Sequence, residues 1–352
     1  MRSSAETAGT IRADDPIPLV RASSLLPFVG FLERLGAPVE RQMAKVRLPY
    51  HTLSDPESLI PLNQGLLFID GMARNEGLRE LGVLVGRETH LPELGAFGRL
   101  ILQSLTLFDA LAKVSQIIHL YNSAQFIGVD DWAGKARVCT AYGPNVGPGW
   151  EYGEQYTLML LIDCIRVAAG PAWTPMEVHL APPLWDALAG RSDAFNGVPV
   201  RRQDVSAIIF DRALLSAPIE RARLARLEKD RREYEAFIST APALEFPDSI
   251  GQLVRMFLRD GQSHIGWIAS AAGISVRTLQ RRLTERGIDY SALVEGSRFD
   301  IATHLLKDHR CKLIDIAYDL GYADAASFTR AFKRWTGVTP SEYRQMHAPV
   351  QM

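Results

Sequence analysis

The apolar positions of the chain change period several times, and each change marks an element. Leu25, Phe28, Val29, Leu32 and Leu35 recur at the interval of one helical face and stop at Gly36, which predicts a first helix over 18–36. Asp55-Pro56-Glu57 has the form of a helix start, an acidic cap followed by proline at the first helical position. Apolar helices are predicted over 64–75 and 106–121, the second capped by Thr106. Beyond Tyr121 the period shortens to that of strands, over 124–129 and 135–141, about a turn holding Asp130, Asp131 and Gly134. A Gly/Pro-rich loop at 143–149 precedes a helix over 151–169, and 176–180 and 205–210 read as strands. Residues 15–215 are therefore expected to form one α+β domain, ending where 211–215 runs into Ala217-Pro218-Ile219.

From 218 to 240 the sequence is heavily charged, with Leu224, Leu227, Tyr234 and Ile238 close to a heptad-like stripe. This reads as a solvated connector helix or as a helix that meets a partner or a second copy. A loop follows through Pro242 and Pro247, and 249–260 is the next predicted helix. Over 290–307 the residues Leu293, Val294, Phe299, Ala302, Leu305 and Leu306 return at helical spacing.

Two stretches flanking that helix repeat one pattern. Ile268-Ala269 and Ile316-Ala317 each open a short helix, and Gly273 and Gly321 follow the alanines by four residues. Each stretch then resumes with an apolar pair enclosing an arginine, Leu279-Gln280-Arg281-Arg282-Leu283 and Phe328-Thr329-Arg330-Ala331-Phe332. That is helix-turn-helix spacing: the alanine admits close helix approach, the glycine permits φ > 0 at the turn, and the apolar pair at i and i+4 seats the second helix. The tandem pair, with the closing motif GVTPSEYR at 337–344, resembles the DNA-binding domain of the AraC/XylS family of transcriptional regulators. The order of features in 15–215 resembles the arabinose-binding-like sensor domain of one branch of that family. The quoted features are Leu94-Gly95-Ala96-Phe97-Gly98 leading to Ser104-Leu105-Thr106, Val178 to Pro183, and Phe195 to Val200. The expected organisation is a disordered start at 1–14, an α+β effector-sensing and dimerisation domain at 15–215, a charged connector helix and loop at 216–245, and an all-α domain with two helix-turn-helix units at 246–346.

Charge changes the picture only once it is divided. The chain carries 39 Lys+Arg against 40 Asp+Glu, but from Phe246 onward there are 14 against 11. The basic excess lies on the two expected reading helices, with Arg277, Arg281, Arg282 and Arg286 on one and Arg330, Lys333 and Arg334 on the other. Such a local excess suits site selection rather than bulk coating of nucleic acid. No run approaches the roughly 18–20 apolar residues that cross a bilayer, and the start of the chain lacks a signal-peptide pattern. A soluble, cytoplasmic protein without a membrane partner is expected. Cys139, Cys164 and Cys311 are dispersed, which points to buried structural thiols and to neither a disulfide framework nor a metal site.

Ser275 is the expected N-cap of the first reading helix, leaving Arg277, Thr278, Gln280 and Arg281 toward the groove. Arginine to guanine is the commonest specific base contact, and the resemblance implies base reading at these positions. In the second unit Ala325-Ala326 follow Asp324, an expected cap, where family members often place polar residues; Ser327, Arg330, Lys333 and Arg334 remain for polar contact. The second helix is therefore expected to anchor phosphates and read shape. A linker helix of about 18 residues, roughly 27 Å long, suits recognition helices placed in successive major grooves. Arg298, Trp335, Pro340 and Tyr343 sit where the family pattern is structural.

Within 15–215 the aromatic residues Trp150, Tyr152 and Tyr156 are candidates for lining an effector pocket, ordinary core packing being the alternative. No catalytic motif joins the dispersed His51, His90, His119 and His179. The reading is a DNA-binding transcription regulator, an activator by resemblance, controlled by an unknown small-molecule effector, without a cofactor, acting as a homodimer on promoter DNA with RNA polymerase. Two alternatives stand beside it: a ligand-independent regulator whose first domain only dimerises or binds a protein, and an enzyme fused to a DNA-tethering module.

Overall fold

A computed structural model describes residues 15–143, 146–188, 192–219 and 229–347. These fall into two compact units: Pro18–Pro242 belongs to the first, while Ala243–Met352 and the short segment Ala13–Ile17 belong to the second. The expected start at 1–14 lies outside the described residues, as do Leu224 and Leu227 of the charged stripe.

The first unit is α+β. Its strands are β1 (Leu19–Arg21), β2 (Leu59–Pro61), β3 (Gln125–Trp132), β4 (Lys135–Tyr142), β5 (Glu177–Leu180), β6 (Val200–Arg202) and β7 (Ser206–Phe210). Its helices are α1 (Leu26–Arg34), α2 (Val39–Lys45), α3 (Leu62–Glu76), α4 (Leu81–Glu88), α5 (Gly95–Leu102), α6 (Leu107–Tyr121), α7 (Trp150–Ala169), α8 (Pro182–Leu188) and α9 (Lys229–Ser239). β1 and β2 pair antiparallel, and the larger sheet runs β3-β4-β7-β5-β6 with only β5 and β6 parallel. Every residue of β7, the central strand, is buried. Thr106 caps α6 in a reciprocal capping box with Asp109.

Two predicted helices are corrected here. Residues 18–36 begin as β1, all three residues buried and paired with Leu59-Ile60-Pro61, and only then turn helical at Leu26. The partner strand lies about 40 residues on, outside the reach of a local periodicity. Asp55-Pro56-Glu57 starts no helix: Asp55 accepts from the amide of Glu57 at 3.0 Å in a turn. The Glu57 carboxylate is engaged elsewhere, by the Ala96 amide at 2.6 Å and by Arg21 at 3.2 Å.

α7 is the central helix of the unit, buried on most of its circumference. α4 approaches it through Gly82 and Gly86, one turn apart on the same face. A Cβ on Gly82 would meet the carbonyl oxygen of Tyr152 at 2.1 Å, and one on Gly86 would meet the Met159 side chain at 2.6 Å.

The connector expected at 216–245 is not a separate solvated element over its described part. Phe237 of α9 is 2% exposed and joins the core of the first unit, whereas Tyr234 and Ile238 of the predicted stripe face outward. Arg21 explains the attachment. Its fully buried guanidinium lies 4.1 Å over the Phe237 ring, donates to the Phe237 carbonyl at 2.6 Å and to Thr240 Oγ1 at 3.1 Å, and also to the carbonyls of Leu120 and Glu57. The cysteine expectation is corrected as well: Cys164 is buried, but Cys139 and Cys311 are only partly so. Burial pushes the Cys164 thiol up to about 12, so it stays an inert apolar side chain.

The second unit is all-α: α10 (Phe246–Leu258), α11 (Ile265–Ala271), α12 (Val276–Thr284), α13 (Tyr290–Leu306), α14 (Leu313–Asp319), α15 (Ala325–Thr336) and α16 (Pro340–Met346). α10 starts three residues before the predicted 249, with Pro247 in its first turn. At 17 residues α13 is about 25 Å long.

Two stability outcomes follow from these contacts. Gly82→Val drives a branched side chain into a helix backbone and is expected to cost about 1–3 kcal/mol, read as a lowered denaturation midpoint. Arg21→Ala removes the buried donor that Phe237, Thr240 and Glu57 share and frees α9; about 3–5 kcal/mol is expected to be lost, with hydrogen exchange rising first across 233–240.

Candidate nucleic-acid interface and ligand cleft

In the first helix-turn-helix unit, Ile268 and Ala269 of α11 and Leu279 and Leu283 of α12 are all at most 1% exposed. The turn between the helices holds Gly273 at φ 69°, a left-handed conformation that disfavours a side chain. Ser275 Oγ accepts from the Thr278 amide at 3.1 Å and fixes the start of α12. The second unit repeats this: Ile316, Ala317, Phe328 and Phe332 are buried, Gly321 has φ 72°, and Asp324 accepts from the Ser327 amide at 2.6 Å. That amide hydrogen bond holds the Asp324 carboxyl below its usual range.

The inward seating of these apolar pairs leaves defined outer faces. Arg277, Gln280 and Arg281 are exposed on α12, with the two arginines one turn apart. Thr278 is half-buried, and its hydroxyl lies 2.9 Å from Ser275 Oγ, so it serves the cap. On α15, Arg330, Lys333 and Arg334 are exposed and Ser327 is half-buried, accepting from Arg330 at 2.9 Å. Arg281 is paired with Glu285 at 2.9 Å, and Arg334 with Glu295 at 2.6 Å. Ala326 is exposed, presenting a methyl group beside them.

Two arginines counted in the basic excess turn toward Phe246: Arg286, beyond the end of α12, lies 5.5 Å over its ring and donates to the Arg282 carbonyl at 2.8 Å, and Arg282 is engaged more closely. Arg282 is 4% exposed, its guanidinium 3.6 Å over the Phe246 ring and hydrogen-bonded to the Asp15 carbonyl. It follows Leu279 by three positions and so lies on the buried face, a placement the helical spacing already carries. The residues expected to be structural make intradomain contacts. Arg298 donates to the Leu320 carbonyl at 3.1 Å and sits over Tyr322, Trp335 and Tyr343 pack edge-on against Phe332, and Pro340 is buried.

In the first unit the structure separates the three candidate aromatic residues. Tyr156 lines an apolar cavity of about 70 Å³ within the core, together with Phe28, Phe97, Tyr121, Tyr142 and Cys164. Trp150 lines a different concavity of about 430 Å³, between the start of α7 and the strands β4 and β7. Tyr152 lines neither and packs toward α4, its carbonyl facing Gly82. Ligand pockets usually span about 300–1,000 Å³, and an apolar cavity of about 150 Å³ holds a benzene. The larger cleft has ligand size; the core cavity does not.

A residue missed in the sequence, Glu154, forms part of that cleft. It follows Trp150 by one turn on α7, is 2% exposed, and shares the cleft wall with Ser206, whose hydroxyl accepts from the Ala181 amide at 3.1 Å. Burial pushes its carboxyl up to about 7, the Ser206 hydroxyl opposing the shift. Tyr142, Val146, Ala181, Asp204 and Val205 complete most of the wall, and among the described residues no Lys, Arg or His lines it. Its trace in the sequence is an acid one turn after a tryptophan, at i+4 on the same helix.

Comparison with known proteins places both units. A model described as helix-turn-helix domain matches residues 268–346. A second, described as the arabinose-binding domain of AraC transcription regulator, N-terminal, matches residues 36–219. The chain is 24% identical over 332 residues to the HTH-type transcriptional regulator VirS of Mycobacterium tuberculosis, covering 93% of this chain and 96% of VirS. It is 22% identical over 338 residues to the ornithine utilization regulator of Pseudomonas aeruginosa, covering 94% and 96% of the two chains. The crystal structure of the regulator CdpR from Pseudomonas aeruginosa aligns with a TM-score of 0.41 at 21% identity, covering 92% of this chain and 98% of that one.

The raised carboxyl of Glu154 has a definite pH consequence. Its folded value exceeds the ordinary 4.5, so its contribution to stability is complete below that value and is lost as pH rises through about 7. Glu154→Gln is therefore expected to stabilise the free protein by about 3 kcal/mol at pH 8, and hardly at all at pH 4.5. Urea melts at the two pH values check this.

Proposed function

The chain belongs to the AraC family of transcription regulators, and from that premise we propose that it is an effector-controlled activator. In this reading, α12 and α15 enter the major groove of promoter DNA. α12 reads bases through Arg277, Gln280 and Arg281, with Thr278 bracing the helix start. α15 anchors phosphates through Ser327, Arg330, Lys333 and Arg334. The observation that carries the division of labour is the pair of outer faces: α12 presents two arginines one turn apart with a glutamine between them, whereas α15 begins with Ala325-Ala326.

The free protein holds Arg281 and Arg334 in exposed ion pairs. Such pairs contribute about 0–1 kcal/mol, while a good bidentate base contact discriminates by about 1–3 kcal/mol. DNA therefore wins the competition for Arg281, and Glu285 acts as a holding partner that keeps the guanidinium extended. The effector binds the first unit in the cleft that contains Trp150, and biases the regulator between DNA-competent and incompetent arrangements. A homodimer working in the cytoplasm with RNA polymerase completes the proposal.

The test is a mobility-shift titration at fixed salt on a promoter fragment found by genome-wide binding. Arg281→Ala is expected to bind the fragment about 10- to 100-fold more weakly and to relax preference at one base position. Arg334→Ala is expected to weaken all sequences alike and to flatten the salt dependence. Equal binding by Arg281→Ala and the parent would remove α12 from the reading role.

A further inference from the structure

The cleft at the start of α7 combines features that a merely packed surface does not need. Glu154 is 2% exposed, yet no cationic side chain among the described residues lines the cleft with it, and the nearby Ser206 hydroxyl is neutral. Burying a carboxylate without a countercharge is costly unless something else neutralises it. Around it the wall is aromatic and aliphatic, with Trp150, Tyr142, Val146 and Val205, and carries a second acid, Asp204. Gly153 contributes by absence: a Cβ there would lie 2.7 Å from the Tyr142 hydroxyl, so glycine lets Tyr142 pack closely against α7.

We propose that this cleft binds an organic cation, a small ammonium compound whose charge rests against the Glu154 carboxylate and whose apolar part lies along Trp150. The inference rests on reading the first unit as the effector-binding domain and names the chemical class of that effector. A carboxylate beside an indole suits an ammonium group, which gains both an ion pair and attraction to the ring face. An anionic ligand would meet Glu154 and Asp204 without a basic group among the described lining residues to offset them. The volume of about 430 Å³ has room for several carbons beyond the charged nitrogen.

Protonation of Glu154 competes with the ligand. The groups that face it are the Ser206 hydroxyl on β7, the Tyr142 phenol on β4, itself pushed up by burial, and Asp204 just before β7. None of these supplies a positive charge, so an arriving cation draws the proton off and affinity rises with pH through about 7.

The probes are tetramethylammonium and n-butylammonium chlorides, with n-butanol and sodium butyrate as controls, titrated calorimetrically into the full chain at constant ionic strength. Both cations are expected to bind at pH 8, with affinity about tenfold lower at pH 6, and both controls to be silent. Glu154→Gln is expected to abolish cation binding while remaining folded, and Trp150→Ala to weaken it severalfold. Binding of n-butanol or butyrate as tight as that of n-butylammonium, or cation binding unchanged in Glu154→Gln, overturns the proposal. A promoter mobility shift run in parallel separates the two readings. Cation binding that leaves promoter affinity unchanged supports the cation site and removes effector control through it. A neutral or anionic metabolite that changes promoter affinity equally in the parent and in Glu154→Gln keeps effector control and removes the cation.

Discussion

A single buried charge organises the first unit. Arg21 is wholly withdrawn from solvent, and desolvation pulls its pKa down against the opposing influence of Glu57. A guanidinium can be tolerated there only if its donors are satisfied in the right directions. Its partners come from three places far apart in the chain: the turn at Glu57, the end of α6 at Leu120, and the end of α9, where Phe237 and Thr240 both accept from it. β1, which carries Arg21, is itself only three residues long and depends on pairing with β2. The geometry of one planar cation therefore ties the strand pair, the core helices and the last helix of the unit into one body. α9, whose charged sequence suggested a free connector, is held by it.

The second unit is organised by repetition rather than by a charge. Each helix-turn-helix solves the same problem with a small residue at the helix crossing, a left-handed glycine at the turn, a side-chain cap and an apolar pair one turn apart. The solutions differ in detail: a serine caps α12 and an aspartate caps α15. The outward faces differ more. α12 keeps Arg277, Gln280 and Arg281 in solvent, while Arg282 is spent internally on Phe246 and the Asp15 carbonyl. A count of arginines on a recognition helix thus overstates the charge available to DNA.

α7 joins the two concavities of the first unit. Its Tyr156 side meets the core cavity and its Trp150 and Glu154 side meets the larger cleft, with Tyr142 lining both. The glycines on either side of this helix, Gly82 and Gly86 on α4 and Gly153 on α7 itself, set how closely α4 and Tyr142 approach. Small residues at the crossing and a buried carboxyl facing the cleft make the helix both tightly held and chemically distinctive.

The amino-acid sequence alone determined the tandem helix-turn-helix, its turns and caps, the family resemblance and the α+β character of the first domain. Those features rest on short-range spacing: four residues from alanine to glycine, three from cap to amide, four between apolar partners. It also contained the direction of Arg282, readable from its place beside Leu279. What only the tertiary structure decided involves partners distant in the chain. The strand at 19–21 exists because residues 59–61 pair with it. α9 belongs to the first unit because Arg21 reaches Phe237 and Thr240 across more than 200 positions. The aromatic trio at 150, 152 and 156 was visible as a group, but helix packing sends its members to different surroundings. Glu154 became noticeable only when burial removed its solvent and folding brought no cation from the described residues to replace it, because the cost of a charge is set by what surrounds it in space.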